Sequence, residues 1–66
     1  MSTYLVYGSY PPATPFDTIV QFRAKDAEGN EYVVCADHRP AEAILDALED
    51  QGEVEVEAED YMVRRA

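Results

Sequence analysis

Short segments rich in aromatic and β-branched residues, separated by prolines and turn-forming residues, predict β-strands in the first half of the chain. Segment 3–8 (Thr-Tyr-Leu-Val-Tyr-Gly) is rich in aromatic and β-branched residues, and we expect it to form the first strand. Segment 9–15 contains three prolines, which cannot donate to a sheet ladder, so it predicts a stiff loop. Segment 16–24 predicts a second strand. Its expected buried face carries Phe16, Thr18, Val20 and Phe22.

The next two segments predict an antiparallel hairpin. On the second strand Ile19 shares the more polar face with Gln21 and Arg23. Segment 25–30 (Lys-Asp-Ala-Glu-Gly-Asn) is dense in turn-forming residues, and segment 31–36 (Glu-Tyr-Val-Val-Cys-Ala) reads as a third strand. Because the connection is this short, we expect the second and third strands to be neighbours.

A change of period after residue 36 predicts a single helix. Asp37 or a neighbour can cap the first amides, and Pro40 is tolerated in a first helical turn. Segment 41–51 has helical spacing, and Gly52 stands where a C-terminal glycine cap is expected. The apolar face of this helix carries Ala41, Ile44, Leu45 and Leu48.

Segment 52–60 (Gly-Glu-Val-Glu-Val-Glu-Ala-Glu-Asp) predicts a final strand with one buried apolar face and one solvent-exposed acidic face. Residues on one face of a strand lie about 7 Å apart, so its glutamates would form an evenly spaced row of carboxylates. Segment 61–63 either extends this strand or forms a short one after a bend at Asp60, and segment 64–66 reads as a tail. The row consists of Glu53, Glu55, Glu57 and Glu59.

The predicted order is β-β-β-α-β. Each element has one apolar face, so we expect the α+β class, with one helix packed on one face of a small antiparallel sheet of three to four strands. Residues 1–66 are expected to form a single domain, and 47% apolar content favours a folded chain over a disordered one. The lone cysteine excludes an intramolecular disulfide, and no apolar run reaches membrane-spanning length, so we expect a cytoplasmic protein.

Charge is distributed unevenly along the chain. The formal net charge is -9, and segment 40–63 holds nine acids but no lysine or arginine. The remaining residues hold five acids and five bases, so their formal charge is zero. The nine acids are the expected partner-binding residues: Glu42, Asp46, Glu49, Asp50, Glu53, Glu55, Glu57, Glu59 and Asp60.

Concentrated carboxylates favour binding to a basic partner. Duplex DNA presents a line of phosphates to a basic protein, and a strand row beside a second row on the helix could present a comparable field. We therefore expect an acidic surface that imitates nucleic acid, in a monomer or weak dimer that does not itself bind DNA. The alternative is a small acidic interaction or regulatory module from a salt-adapted organism, whose acids are a solvated face.

Residues flanking the acidic segment bear on this expectation. Tyrosine is enriched at interfaces, and Tyr10 and Tyr61 are the tyrosines expected to contact a partner. Arg64 and Arg65 either lie away from the acidic surface or pair with Glu59 and Asp60 and weaken its field. Most other tyrosines are expected in or near the core, since a small sheet needs large side chains.

Other chemistry has little support in the sequence. Cys35, Asp37 and His38 form a Cys-x-Asp-His cluster, but its cysteine and histidine are only two metal ligands within four residues and do not make a site without others nearby. A Cys-His nucleophile would also need an orienting group and an oxyanion donor. There is no glycine-rich phosphate loop. We therefore expect a protein that is not an enzyme and carries no metal or cofactor.

The size, the single α+β unit and the acidic run from Glu42 to Asp60 give the chain a resemblance to a known family. It resembles the small acidic anti-CRISPR proteins of phages and mobile elements, in particular those acting on type I surveillance complexes. The resemblance implies a non-enzymatic inhibitor that occupies the basic surface where the complex recognises or loads target DNA. It implies the large subunit of a type I-C complex as the partner, and a host-cell cytoplasmic location.

Overall fold

The computed structural model describes residues 2–11 and 18–66, and these form one helix and a five-stranded sheet. The α+β class is confirmed, whereas the sheet has five strands where three to four were expected. No helix in the described ranges is long and apolar enough to span a membrane. The elements are β1 (Thr3–Ser9), β2 (Ile19–Lys25), β3 (Glu31–Asp37), α1 (His38–Gln51), β4 (Val54–Glu57), a 3₁₀ helix (Ala58–Asp60) and β5 (Met62–Arg65).

All strand pairs of the sheet are antiparallel, in the order β4-β1-β2-β3-β5. The predicted hairpin is confirmed, with Lys25 opposite Glu31 and Ile19 opposite Asp37. The expected tail is instead part of β5, in which Arg64 pairs with Val33. The two edge strands, β4 and β5, therefore both follow the helix in the chain.

Helix α1 covers one face of the sheet, which we call the inner face. Alternation along each strand sends every second side chain to this face, where Val6, Phe22 and Val34 are completely buried. From the helix, Ala41 and Ile44 complete the buried cluster. The other face of the sheet, called the outer face, has no layer packed over it among the described residues.

Two predicted core positions are wrong. Thr18 precedes β2 and is exposed, because the strand begins at Ile19; Phe16, predicted on the same face, lies outside the described residues. Leu45 is 39% exposed, although it was expected on the packed face of the helix. At 100° per residue it lies about 100° from Ile44, so it reaches only the flank of the contact with the sheet. Leu48 is half-buried against the core, as expected.

The two ends of α1 agree with the sequence signals to different extents. Asp37 occupies the N-cap position, but its side chain makes no capping hydrogen bond. Pro40 lies in the first turn, where its missing N–H costs nothing. At the other end Gly52 has φ 82°, and its N–H donates to the carbonyl oxygen of Leu48 at 2.8 Å. The glycine cap is thus confirmed.

The connection between β4 and β5 requires a strongly coiled sheet. These strands are the two edges, and four strand spacings would separate them by about 19 Å in a flat sheet. Five chain steps lead from Glu57 to Met62, a reach of at most about 18 Å. Three of the intervening residues form a 3₁₀ helix, which rises only about 2 Å per residue. The sheet must therefore curl until its edges approach each other.

Candidate functional site

All nine acids of the predicted partner-binding surface are exposed. Two of them, Glu55 and Glu57, belong to β4 and share the outer face with Leu5 and Thr3, their partners on β1. Their neighbours Val54 and Val56 point inward to the core. The exposed set is Glu42, Asp46, Glu49, Asp50, Glu53, Glu55, Glu57, Glu59 and Asp60.

The predicted row of four evenly spaced glutamates is wrong. Glu53 precedes β4, Glu55 and Glu57 lie in it, and the strand ends there. The chain then enters the 3₁₀ helix, because it must turn toward the opposite edge of the sheet to begin β5. Glu59 and Asp60 therefore continue the acidic surface around a corner. We call Glu53, Glu55, Glu57, Glu59 and Asp60 the acidic edge.

The helix carboxylates form a separate group. Ile44 faces the sheet, and Asp46, two residues later and about 200° around the helix, points directly away from it. Glu55 and Glu57 lie on the other side of the sheet, on the outer face. The helix carboxylates and the β4 glutamates therefore project in different directions, although Glu55 and Glu57 line the strand side of a groove between α1 and β4. The helix group is Glu42, Asp46, Glu49 and Asp50.

Lysine and arginine do not neutralise these carboxylates. Within residues 2–11 and 18–66 one ion-pair contact occurs, between His38 Nε2 and Glu42 Oε1 at 3.0 Å. It is an ion pair only when the imidazole is protonated. Neither Arg64 nor Arg65 pairs with Glu59 or Asp60 in this part of the chain. Of the two alternatives for these arginines, the structure favours the one that leaves the acidic field intact.

Three cations lie together on the outer face instead. The Arg23 guanidinium carbon is 5.0 Å from the centre of the Tyr10 ring, and Lys25 Nζ is 5.7 Å from that of Tyr7. Arg64 Nη2 donates to Gln21 Oε1 at 3.4 Å. These contacts place Arg23 and Lys25 over β1 and β2, and they place Arg64 between β5 and β2. None of these three cations is paired with a carboxylate of the acidic edge among the described residues.

Val33 is buried on the outer face although no layer of the described chain covers that face. It is only 5% exposed, although its side chain lies on the face opposite the helix. Its cross-strand partners are Arg23 and Arg64. The aliphatic stems of two such arginines can cover the apolar group between them while their charged ends stay in water.

No protein-family model, curated protein or solved structure matches this chain.

Shallow grooves lie on both sides of the 3₁₀ helix. The first groove runs between α1 and β4, with Ala43 on the helix side and Glu57 on the strand side. The second is bounded by Ile19, Met62 and Asp60 at the end of β2, β3 and β5. Tyr61 lines both grooves and also packs against the core, so a part of its ring remains available for contact.

The Cys-x-Asp-His segment does not form a metal site in the structure. Cys35 is half-buried on the outer face of β3, whereas His38 contacts Glu42 at the start of the helix. Among the described residues, no group of three histidine, cysteine, aspartate or glutamate side chains could hold a metal ion.

The second groove was missed by reasoning from the sequence. Its apolar residues, Ile19 and Met62, come from different strands, and the pairing of β5 beside β3 brings them to the same corner. A signal was present in the sequence, because Ile19 is an apolar residue on the otherwise polar face of β2. No comparable signal pointed to Met62, since segment 61–63 was compatible with two arrangements.

Proposed function

We propose that this protein is a non-enzymatic inhibitor that binds a basic, DNA-handling protein complex through its acidic edge and blocks the binding of target DNA. The observation that carries the proposal is the acidic edge itself: five exposed carboxylates, running from the approach to β4 through the 3₁₀ helix, with no lysine or arginine paired to them in the described chain. Such a surface is costly to a small domain and is useful when it meets positive charge.

The physical basis is imitation of the phosphate backbone. A DNA-binding groove gains affinity by neutralising phosphates spaced regularly along a duplex and releasing their counterions. Glu55 and Glu57 stand about 7 Å apart on β4, and Glu59 and Asp60 carry the negative field around the corner. Binding should weaken as salt is added, because exposed charges are screened within about 8 Å at physiological ionic strength.

The resemblance to small acidic anti-CRISPR proteins supplies the specific partner in this proposal. That partner is a type I surveillance complex, and in particular the large subunit of a type I-C complex. The site of action is then the cytoplasm of the host cell, where a phage-encoded inhibitor meets its target. The protein acts as a monomer or weak dimer and has no direct affinity for nucleic acid.

Segregation of charge supports this proposal over a salt-adaptation role. A salt-adapted surface spreads acid evenly, whereas here segment 40–63 holds nine acids and no lysine or arginine. Concentrated negative charge directs the approach of a positively charged partner. Folding that required molar salt would instead favour the salt-adapted module.

The test is a gel-shift competition between this protein and labelled target duplex for a type I-C surveillance complex. Two variants with the same charge change separate the acidic edge from the helix. The edge variant carries Glu53→Gln, Glu55→Gln, Glu57→Gln and Glu59→Gln. The helix variant carries Glu42→Gln, Asp46→Asn, Glu49→Gln and Asp50→Asn. Each changes the formal charge from -9 to -5.

The parent protein and the helix variant are expected to displace the duplex, while the edge variant does not. Loss of displacement in the helix variant alone would move the working surface to α1. Equal loss of displacement in both variants would show that displacement depends on net charge alone and that the acidic edge is not a specific site. Failure of the parent protein to displace the duplex, or a shift of free DNA by the protein alone, would overturn the proposal.

A further inference from the structure

The groove at the end of β3 and β5 combines an apolar surface with an acidic border. Its volume is about 330 Å³, near the lower end of the range for ligand clefts. Residues from three strands, the start of α1 and the 3₁₀ helix converge on it. We call it the corner groove. It adjoins the acidic edge, because Glu59 and Asp60 line it.

Its apolar part is unusually open to solvent. Met62 is 76% exposed and Ile19 is 49% exposed, and both are among the large hydrophobic side chains that the described chain leaves in water. Met62 is the cross-strand partner of Cys35, and Ile19 lies two residues from Gln21, the partner of Cys35 on the other side. The two exposed side chains thus flank one half-buried thiol. Methionine at such a position adapts its shape to different apolar partners.

The charged part of the groove has one sign. Its lining includes the carboxylates of Asp37, Glu59 and Asp60 and no lysine or arginine. Arg64, two residues beyond Met62 on the same face, donates to Gln21 and lies outside the lining. The local field therefore selects a positively charged occupant, while the apolar surface selects a hydrophobic one.

We infer that the corner groove binds a segment of a protein partner in which one apolar side chain is flanked by lysine or arginine. The inference rests on the proposed function for the positive charge of the partner, and it adds an apolar anchor to an otherwise electrostatic contact. Interfaces commonly bury such an anchor in a pocket with a polar border, and a few anchors of this kind supply most of the affinity. Carboxylates alone would attract many basic surfaces, so the anchor supplies selectivity.

The test uses two blocked pentapeptides and nuclear magnetic resonance of the isotope-labelled full chain. The first peptide has leucine between two pairs of lysines, and the second has serine in place of leucine. The leucine peptide is expected to shift the methyl resonances of Ile19 and Met62 and to bind about tenfold more tightly than the serine peptide, since one apolar side chain leaves water. The amides of Glu59 and Asp60 should shift with both peptides.

Two variants assign the anchor to the groove. Met62→Gln is expected to abolish the difference between the peptides without unfolding the chain, because the side chain is mostly in water. Leu45→Gln, at another exposed apolar residue, is the matched control and should preserve the difference. An unchanged preference for leucine in Met62→Gln would overturn the inference.

The outcomes also separate this inference from the proposed function. Equal binding of both peptides, with shifts confined to the acidic residues, would overturn the groove and leave the acidic edge standing. Binding of neither peptide would count against both the groove and the acidic edge. Shifts of the Ile19 and Met62 methyls with protein concentration, in the absence of peptide, would identify a second copy of this chain as the occupant and would likewise overturn the inference.

Discussion

The rings of Tyr4 and Tyr32 meet edge to face on the inner side of the sheet, with their centres 4.8 Å apart and their planes inclined by 63°. They belong to β1 and β3, which are separated by β2. They can touch because the β2 partner of Tyr32 is Ala24, a completely buried residue whose small side chain leaves the space above it free. The pair therefore links β1 and β3 across β2.

This contact should be measurable as coupling between the two tyrosines. Tyr4→Leu and Tyr32→Leu each destabilise the fold, and the double variant should lose about 0.5 to 1.5 kcal/mol less than the sum of the single losses. Urea unfolding followed by circular dichroism provides the free energies. Tyr4→Leu combined with Tyr10→Leu is the control and should be additive, because Tyr10 contacts Arg23 on the outer face.

Gly52 is predicted to be required for its backbone conformation. Its φ of 82° lies in the left-handed region, and a Cβ at this position would meet no atom within 4 Å. Gly52→Ala should therefore lower the free energy of unfolding by about 1 kcal/mol through backbone strain alone. Gly52→Asn should cost less, since asparagine tolerates this region better. Equal stability of Gly52→Ala and the parent chain would contradict the assignment of the cap.

Neighbouring helix positions should differ sharply in their sensitivity to truncation. Ile44 is 3% exposed in the core, and Ile44→Ala should cost about 2 to 5 kcal/mol, a large share of the stability of so small a domain. Leu45→Ala should cost less than about 1 kcal/mol, because its side chain already lies partly in water. Urea unfolding of both variants checks the orientation of α1. Similar losses of stability at the two positions would contradict this orientation of α1 against the sheet.

The turn between β2 and β3 should make part of the stability dependent on pH. Desolvation raises the pKa of Asp26, but it is outweighed by hydrogen bonds from the Asn30 side chain and from the amides of Asn30 and Glu28, which lower it. Both amides donate to Asp26 Oδ1 at 2.9 Å. Because the folded-state pKa lies below the unfolded one, the stabilisation is complete above the unfolded pKa, about 3.9, and disappears as the pH falls through the folded value.

Asp26→Asn tests this dependence. The variant should be less stable than the parent chain at pH 7, and the difference should shrink as the pH is lowered below about 4. Urea midpoints measured between pH 7 and pH 2 give the comparison. Glu28→Gln, the control, changes another acid of the same turn, whose carboxylate is 3.5 Å from the side-chain nitrogen Nδ2 of Asn30. It should show the same dependence of stability on pH as the parent chain. A constant difference for Asp26→Asn across the range would remove the charge of Asp26 from the explanation.

Repulsion along β4 should be visible in the effect of salt. Glu55 and Glu57 lie about 7 Å apart, where two like charges repel by about 0.6 kcal/mol at the dielectric constant of bulk water. The variant Glu55→Gln with Glu57→Gln should be more stable than the parent chain at low ionic strength. The gain should vanish in 1 M salt, where the screening length is about 3 Å. A gain that persisted in salt would have to come from the strand preference of glutamine instead.

The elements that the sequence predicts correctly depend on neighbours in the chain. The β2–β3 hairpin follows from two segments rich in aromatic and β-branched residues and a turn with Asp26 and Gly29, and the helix follows from its spacing and from Gly52. Local signals of this kind are sufficient for such elements. Exposure of the acids was also predictable, because nothing in the chain could pair with so many carboxylates in a buried place.

The features that were not predictable depend on distant parts of the chain. Alternation at Ala58 and Glu59 continues the strand pattern, yet β4 ends at Glu57 because the next residues must reach the opposite edge of the sheet. For the same reason the site was predicted in its composition but not in its shape. The separation of the helix carboxylates from Glu55, and the meeting of Ile19 with Met62, both follow from strand order, which no local pattern encodes.

The short link from β4 to β5 should protect the edges of the sheet from pairing with strands of other chains. A free strand edge is a template on which other chains can assemble, and this small sheet would offer two of them. The link of Ala58 to Tyr61 is too short for the sheet to flatten, so both edges are held in a curved form that a straight foreign strand fits poorly. The 3₁₀ helix thus holds the two edge strands close together, and lengthening it should promote aggregation and the exchange of strands between copies.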